Sequence, residues 1–247
     1  MNAYLNKQVK FVDLGLIAYQ EAWDYQTKLF QETLGIKVEN RNLPEAVQRP
    51  TPNHLLFCEH PHVFTLGKSG DESNLLMPKE NLSSINATYV PINRGGDITY
   101  HGPGQLVVYP VFDLENFFTD IHRFMRTLEE AVIQTLLAFG IESGRMEMLT
   151  GVWLDASHPL PDRQAGATAR KICAMGVKMS RWVTMHGLAL NVNPDLNYFN
   201  YIVPCGIQDK SVTSMEKELN VKVEMDKVKS VLKERLAAVF DATTLVS

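Results

Sequence analysis

Two hydrophobic periods alternate along the chain, and the switches between them outline the elements. Residues 9 to 17, VKFVDLGLI, are rich in β-formers and predict a strand. The next stretch, AYQEAWDYQTKLFQETL, places Ala22, Tyr25, Leu29 and Phe30 on one helical face. RNLPEAVQRPTPN carries its prolines between polar residues and predicts a surface loop before a strand in HLLFCEH. HVFTLG, ATYVPINR, DITYH and QLVVYPVFDL follow as short strands punctuated by glycine and proline. Residues 120 to 139 carry the clearest helix. Ile121, Phe124, Leu128, Val132, Leu136 and Phe139 recur every three or four positions, Asp120 stands ready as the N-cap, and Gly140 ends it.

The second half returns to period two. GVWLD predicts a strand, ASHPLPDRQAGATA a polar loop, and KICAMGVKMS and MHGLALNV a hairpin pair. Two helices close the chain. VTSMEKEL is capped by Thr213 or Ser214, and DKVKSVLKERLAAVF carries Val228, Val231, Leu232 and Leu236 on one stripe. Strands in runs with helices between and after them predict an α+β fold, with helices packed against a mixed or largely antiparallel sheet. No linker or internal repeat divides it, so residues 1–247 read as a single domain.

Composition narrows the function classes. At 247 residues with 45% hydrophobic content, the chain can bury a large core. The net charge of −4 comes from 24 basic and 28 acidic residues scattered along the chain, and argues against nucleic acid as a partner. No apolar run approaches the length of a bilayer span and the start lacks a signal-peptide pattern, so no membrane is expected and the cytoplasm is the expected compartment. Three cysteines, Cys58, Cys173 and Cys205, without paired spacing indicate neither a disulfide framework nor a zinc site. His54, His60 and His62 lie close in sequence but lack further ligands at matched spacing, so no metal is expected.

Candidate chemistry concentrates in three places. YIVPCGI sets Cys205 between a proline and a glycine after an apolar run, where a side chain is presented at a strand end rather than packed. A free thiol has a pKa near 8.5 and needs a neighbouring cation to ionise at neutral pH. Lys171, opening the apolar strand KICAMG, is the candidate cation, and partial desolvation would lower its own pKa toward the range useful for proton transfer. Residue chemistry alone leaves Cys205 open to two readings, nucleophile or inert thiol. Cys58 inside LLFCEH reads as core. Cys173 competes with Cys205, because period two puts it on the face of Lys171. The third place is NRGGDITYHGPGQ, where Arg94, Asp97, Tyr100 and His101 surround glycine turns too irregularly spaced for a dinucleotide loop.

Taken together, these segments resemble the octanoyltransferases of lipoate biosynthesis. EHPHVFTLGKSG, RGGDITYHGPGQLVVYP, GVWL, RKICAMGVKMSRWVTMHGLALNV and IVPCGI occur in that family's order and cover most of the chain. The resemblance implies a fold similar to the catalytic domain of biotin and lipoate protein ligases. It implies that Cys205 carries an acyl thioester and that Lys171 lowers its pKa and moves protons. It maps a substrate pocket onto Arg94, Gly95, Gly96, Asp97, Ile98, Thr99, Tyr100 and His101, onto Ala174, Met175 and Gly176, and onto Gly187, Leu188 and Ala189. The implied donor is octanoyl-acyl carrier protein. The implied acceptors are lipoyl domains of 2-oxoacid dehydrogenase E2 subunits and the glycine cleavage H protein. No cofactor is implied.

Both protein partners of that family are acidic, which predicts a local basic rim drawn from Lys68, Lys178, Arg181 and Lys210. The glycines near 95, 102, 176 and 187 would let backbone line an apolar slot for the octanoyl tail. Two rivals stand beside this reading. One is an ATP-dependent lipoate or biotin protein ligase on the same scaffold, which needs no cysteine. The other is a non-catalytic module that binds acyl carrier protein.

Overall fold

A computed structural model describes residues 5–155, 169–203 and 211–246. The large sheet runs in the order β12 (Thr243–Val246), β1 (Gln8–Leu16), β2 (Asn53–Glu59), β6 (Gln105–Val111), β10 (Val183–Asn191), β9 (Arg170–Ser180), β8 (Leu149–Leu154) and β7 (Gly144–Met146). The short β11 (Ser211–Val212) joins β9 in parallel at Arg170 and Lys171. β1 pairs in parallel with both β12 and β2, and the strands from β2 to β7 pair antiparallel, so the sheet is mixed as the pattern predicts. A second sheet of β4 (Thr88–Pro91), β3 (Val63–Leu66) and β5 (Ile98–His101) carries its own apolar cluster around Phe64, Ile98, Tyr100 and Phe199.

Period two decides which helix covers which face. Leu55, Phe57, Leu106, Val108, Leu188 and Leu190 point to one side. There they meet Phe124, Leu128, Val132 and Leu136 of α2 (Ile121–Ala138) and Val228, Leu232 and Leu236 of α4 (Met225–Val239). Leu56, Cys58, Val107, Tyr109 and Ala189 point to the other and pack on Ala22, Leu29 and Phe30 of α1 (Tyr19–Asn40). β6 and β10, covered on both faces, are buried at every position. Each fully buried leucine here contributes about 1.5–3 kcal/mol relative to exposure.

Local signals set the element ends. The Asp120 carboxylate accepts from the Arg123 amide and Ser214 accepts from Lys217, capping α2 and α3 (Met215–Leu219). The β9–β10 hairpin closes on two residues only, Arg181 and Trp182, at φ 49° and 67°. That is the left-handed pair whose twist matches two antiparallel strands. α1 runs past the predicted end at Leu34 to Asn40, because Lys37 in its last turn is buried against Asp113, 2.5 Å away. β12 and β7 were not foreseen; both are short edge strands.

The core position of Cys58 follows its expectation: it is fully buried beneath α1. The pairing expected of Cys173 does not hold. β8 steps by one residue between Val152 and Trp153 while their partners on β9 step by two, from Cys173 to Lys171. This bulge around Ile172 breaks the alternation and turns Cys173 away from the face of Lys171. Cys173 lies at 0% exposure in the main core, with burial pushing its thiol pKa up.

Candidate active site

One cavity, of about 410 Å³, gathers most of the predicted pocket. Its wall includes Arg94 to Thr99, His101, Ala174 to Gly176, Gly187 to Ala189, and Lys171. Tyr100 is the exception. Its side chain turns into the core of the small sheet, where its hydroxyl lies 2.8 Å from His62 Nδ1 and its ring stacks on Tyr198. Strand alternation on β5 accounts for this, since His101 and Thr99 take the opposite face.

The pocket exists because three backbones approach more closely than side chains allow. Gly95 N donates to Val177 O at 3.1 Å, docking the 94–97 loop on β9. A Cβ at Gly176 would lie 2.7 Å from Gly95 O, and one at Gly67 would lie 2.1 Å from Gly96 O. Gly102 serves another purpose: its Cβ would collide with the Tyr100 hydroxyl at 1.9 Å, and it does not line the cavity.

Arg94 is buried, and its guanidinium donates to Thr65 O, Thr65 Oγ1 and Gly95 O. It therefore braces the loop against β3. Asp97 accepts from the Ile98 and Asp71 amides and from Asn74 Nδ2, which holds the same loop from its far side. Lys171 is half-buried, with Nζ 4.6 Å from the centre of the Trp153 ring. Gly151, at φ 114°, lets β8 approach β9: a Cβ there would lie 2.5 Å from Cys173 O, and the Lys171 stem passes beside it, with Cε 3.7 Å from that position. On its other side Lys171 pairs with Val212, which also lines the cavity. Cys205 and Lys210 lie outside the described residues, as does most of the 156–169 loop. Of the other expected rim residues, Lys68 and Arg181 are exposed and Lys178 is half-buried with Nζ 5.4 Å over Phe30.

Several lining residues carried no sequence signal of their own. Tyr19 and Tyr109 enter from α1 and β6, Met125 from α2, Met148 to Thr150 from the turn into β8, and Phe199 from a 3-10 helix, Leu196–Tyr201, packed on the small sheet. Tyr19, Tyr109, Met125 and Phe199 sit in apolar patterns that predict core equally well. His186, in the MHGLAL segment, lines the cavity at φ 60° with Nε2 3.0 Å from Asn93 Oδ1.

Three histidines cluster near this wall, and all are held neutral. Burial pushes His60 down to about 4 and His101 and His186 down to about 3; nearby cationic Arg94 adds to the effect on the last two. Their unfolded-state value is near 6.5, so between about pH 3 and 6.5 the unfolded chain binds more protons. The stability they contribute is complete above pH 6.5 and is lost as pH falls. Denaturant unfolding at pH 7 and pH 5 is expected to give a loss approaching about 1 kcal/mol per pH unit for each histidine; equal stability at the two values would contradict their burial. Among the described residues no group of three or more His, Cys, Asp or Glu side chains could hold a metal ion, and no helix is long and apolar enough to cross a membrane.

The site is thus a glycine-walled cavity with Lys171 in its lining, set in a mixed sheet with helices on both faces. Residues 18–237 match the family described as the lipoyl protein ligase A/B catalytic domain. A bi-partite lipoate protein ligase of Thermoplasma acidophilum, from a study with its E2 lipoyl domain, superposes with a TM-score of 0.64 at 16% identity, over 98% of this chain and 87% of the other. The biotin protein ligase of Aquifex aeolicus superposes at 0.50 and 11% identity, over 94% and 70%. In sequence, the octanoyltransferase of Cytophaga hutchinsonii is 59% identical over 98% of this chain and 96% of its own length. The chain belongs to the octanoyltransferases of this family, and it is an acyltransferase.

Proposed function

We propose that the protein moves an octanoyl group from octanoyl-acyl carrier protein to a specific lysine of lipoyl domains, through a thioester on Cys205. The domains of 2-oxoacid dehydrogenase E2 subunits and the glycine cleavage H protein are the acceptors, and the cytoplasm is the site of the reaction. Residues 1–247 act as one catalytic domain. The observation that carries the reading is the cavity. It lies in the size range of small-ligand pockets, and its lining combines Lys171 with Arg94 to Thr99, His101 and Val212, which pairs with Lys171.

The chemistry follows from the charges. The Lys171 ammonium favours the Cys205 thiolate, which attacks the thioester carbonyl of the donor; the carbon–sulfur bond to the carrier breaks, and the carrier sulfur leaves as a thiol with a proton from Lys171. The acceptor amine then attacks the enzyme thioester, the new carbon–nitrogen bond forms, and the Cys205 sulfur departs with the bonding pair. The surplus amine proton passes to the neutral Lys171, which restores the ammonium–thiolate pair. Thioester to amide runs downhill, so no nucleotide is consumed.

ATP dependence separates this from the ligase reading. Purified protein given octanoyl carrier protein and a lipoyl domain is expected to form the amide at full rate without ATP. Shortening the donor chain by two methylenes should lower kcat/KM roughly 15-fold, at about 0.8 kcal/mol per buried methylene. Transfer that required ATP and free octanoate would support the ligase instead.

A further inference from the structure

The wall of the cavity contains a chain of buried hydrogen bonds whose direction can be worked out from its ends. Asn191 Nδ2 donates to Thr213 O at 2.9 Å. A backbone carbonyl can only accept, so the Asn191 amide is fixed with Oδ1 turned to Gln105. Gln105 Nε2 donates to that oxygen at 2.9 Å and to the Tyr100 carbonyl at 3.2 Å, which uses both of its protons. Its Oε1 is left facing His101 Nδ1 at 2.7 Å. An amide oxygen only accepts, so His101 carries its proton on Nδ1, and Nε2 is a bare lone pair. Gln105 and Asn191 are buried at 1% and 4% exposure, so water does not compete for these bonds. The far end of the chain reaches the strand of the lysine, because Thr213 N donates to Lys171 O at 2.9 Å.

His101 lines the cavity, and no described residue takes up its Nε2. Several other polar lining groups are differently placed. Arg94 and Lys171 can only donate, Asp97 accepts from its own loop, the Gln105 and Asn191 amides are spent on each other and on the backbone, and His186 Nδ1 is buried without a hydrogen-bond partner. An amine attacking a thioester must aim its lone pair at the carbonyl carbon, so its N–H bonds project away and need an acceptor. We propose that His101 Nε2 accepts a hydrogen bond from the N–H of the incoming acceptor amine and aims its lone pair at the acyl carbon, with Gln105 and Asn191 as positioning residues that hold the required tautomer. His101 takes no proton in this step. The inference rests on the covalent reading above for its reaction, and on the hydrogen-bond chain alone for its tautomer.

The test uses the full chain and reads the two parts separately. In protein labelled with ¹⁵N-histidine, long-range proton–nitrogen spectra are expected to show His101 with Nδ1 protonated. Gln105→Met, of similar volume, should release it to a mixture of tautomers. A protonated Nε2 in the unaltered protein would overturn the proposal.

In single-turnover kinetics, acylation by octanoyl carrier protein and transfer to a lipoyl domain are timed apart. His101→Asn can still reach Gln105 but has no atom at the Nε2 position, and is expected to slow transfer about 10- to 100-fold more than acylation. His101→Gln, which restores an amide oxygen there, should recover part of the loss. Equal slowing of both steps, or no rescue, would overturn the role in amine orientation. Failure of the unaltered protein to form any acyl-enzyme would instead remove the covalent reading and leave the tautomer standing.

Discussion

Replacing Cys205 with serine is expected to lower octanoyl transfer by about four to six orders of magnitude, the scale on which removal of a nucleophile acts. Serine keeps the shape, so folding should be unchanged. It loses the chemistry, because a hydroxyl is far less acidic than a thiol with a pKa near 8.5 and Lys171 cannot ionise it at neutral pH. Steady-state transfer to a purified lipoyl domain measures the effect. A variant that retained a tenth of the activity would point to a route that needs no cysteine, the route of the ATP-dependent ligases.

Lys171→Met should cost about 10²- to 10⁴-fold, the usual contribution of a positioned proton carrier. Methionine preserves the stem that runs past Gly151 and over Trp153, so the pocket keeps its walls. What is removed is the positive charge. Without it the thiol pKa returns toward its ordinary value, and a smaller fraction is thiolate at pH 7. The sign follows: the acid limb of the acylation rate, set by thiol ionisation, moves to higher pH, and raising the pH restores part of the lost rate. A loss that was the same at every pH would assign Lys171 a structural role instead.

The fold was legible where one period persisted long enough. Ile121 to Phe139 repeats its apolar stripe over five turns, and the helix forms there with Asp120 as its cap. β6 announces itself as an apolar run, LVVYPV after Gln105, of the kind that is covered on both faces. The misplaced features depend on contacts remote in sequence. The last turns of α1 are held by Lys37 against Asp113, and β12 exists only as the parallel neighbour of β1. Period two misled at Cys173, because a bulge is a property of two strands together and cannot be read from one.

The candidate site divides in the same way. Glycines crowded beside polar residues drew attention to Arg94 through His101, and the structure gives the reason in the contacts that a Cβ would make at Gly67 and Gly176. Gly187 belongs with them, since its Cβ would meet Val108 O at 2.1 Å. Tyr19, Met125 and Phe199 face the cavity from apolar stripes that look no different from core. Gln105 and Asn191 were invisible for another reason. A buried amide in a strand carries meaning only through its partners, and those lie on other strands or across a turn.

The most direct test of the covalent route is the intact mass of the protein after incubation with octanoyl carrier protein and no acceptor. One octanoyl group, removable by hydroxylamine and mapped to the peptide that contains Cys205, is the predicted result. No adduct, or an adduct on Cys173, would contradict it.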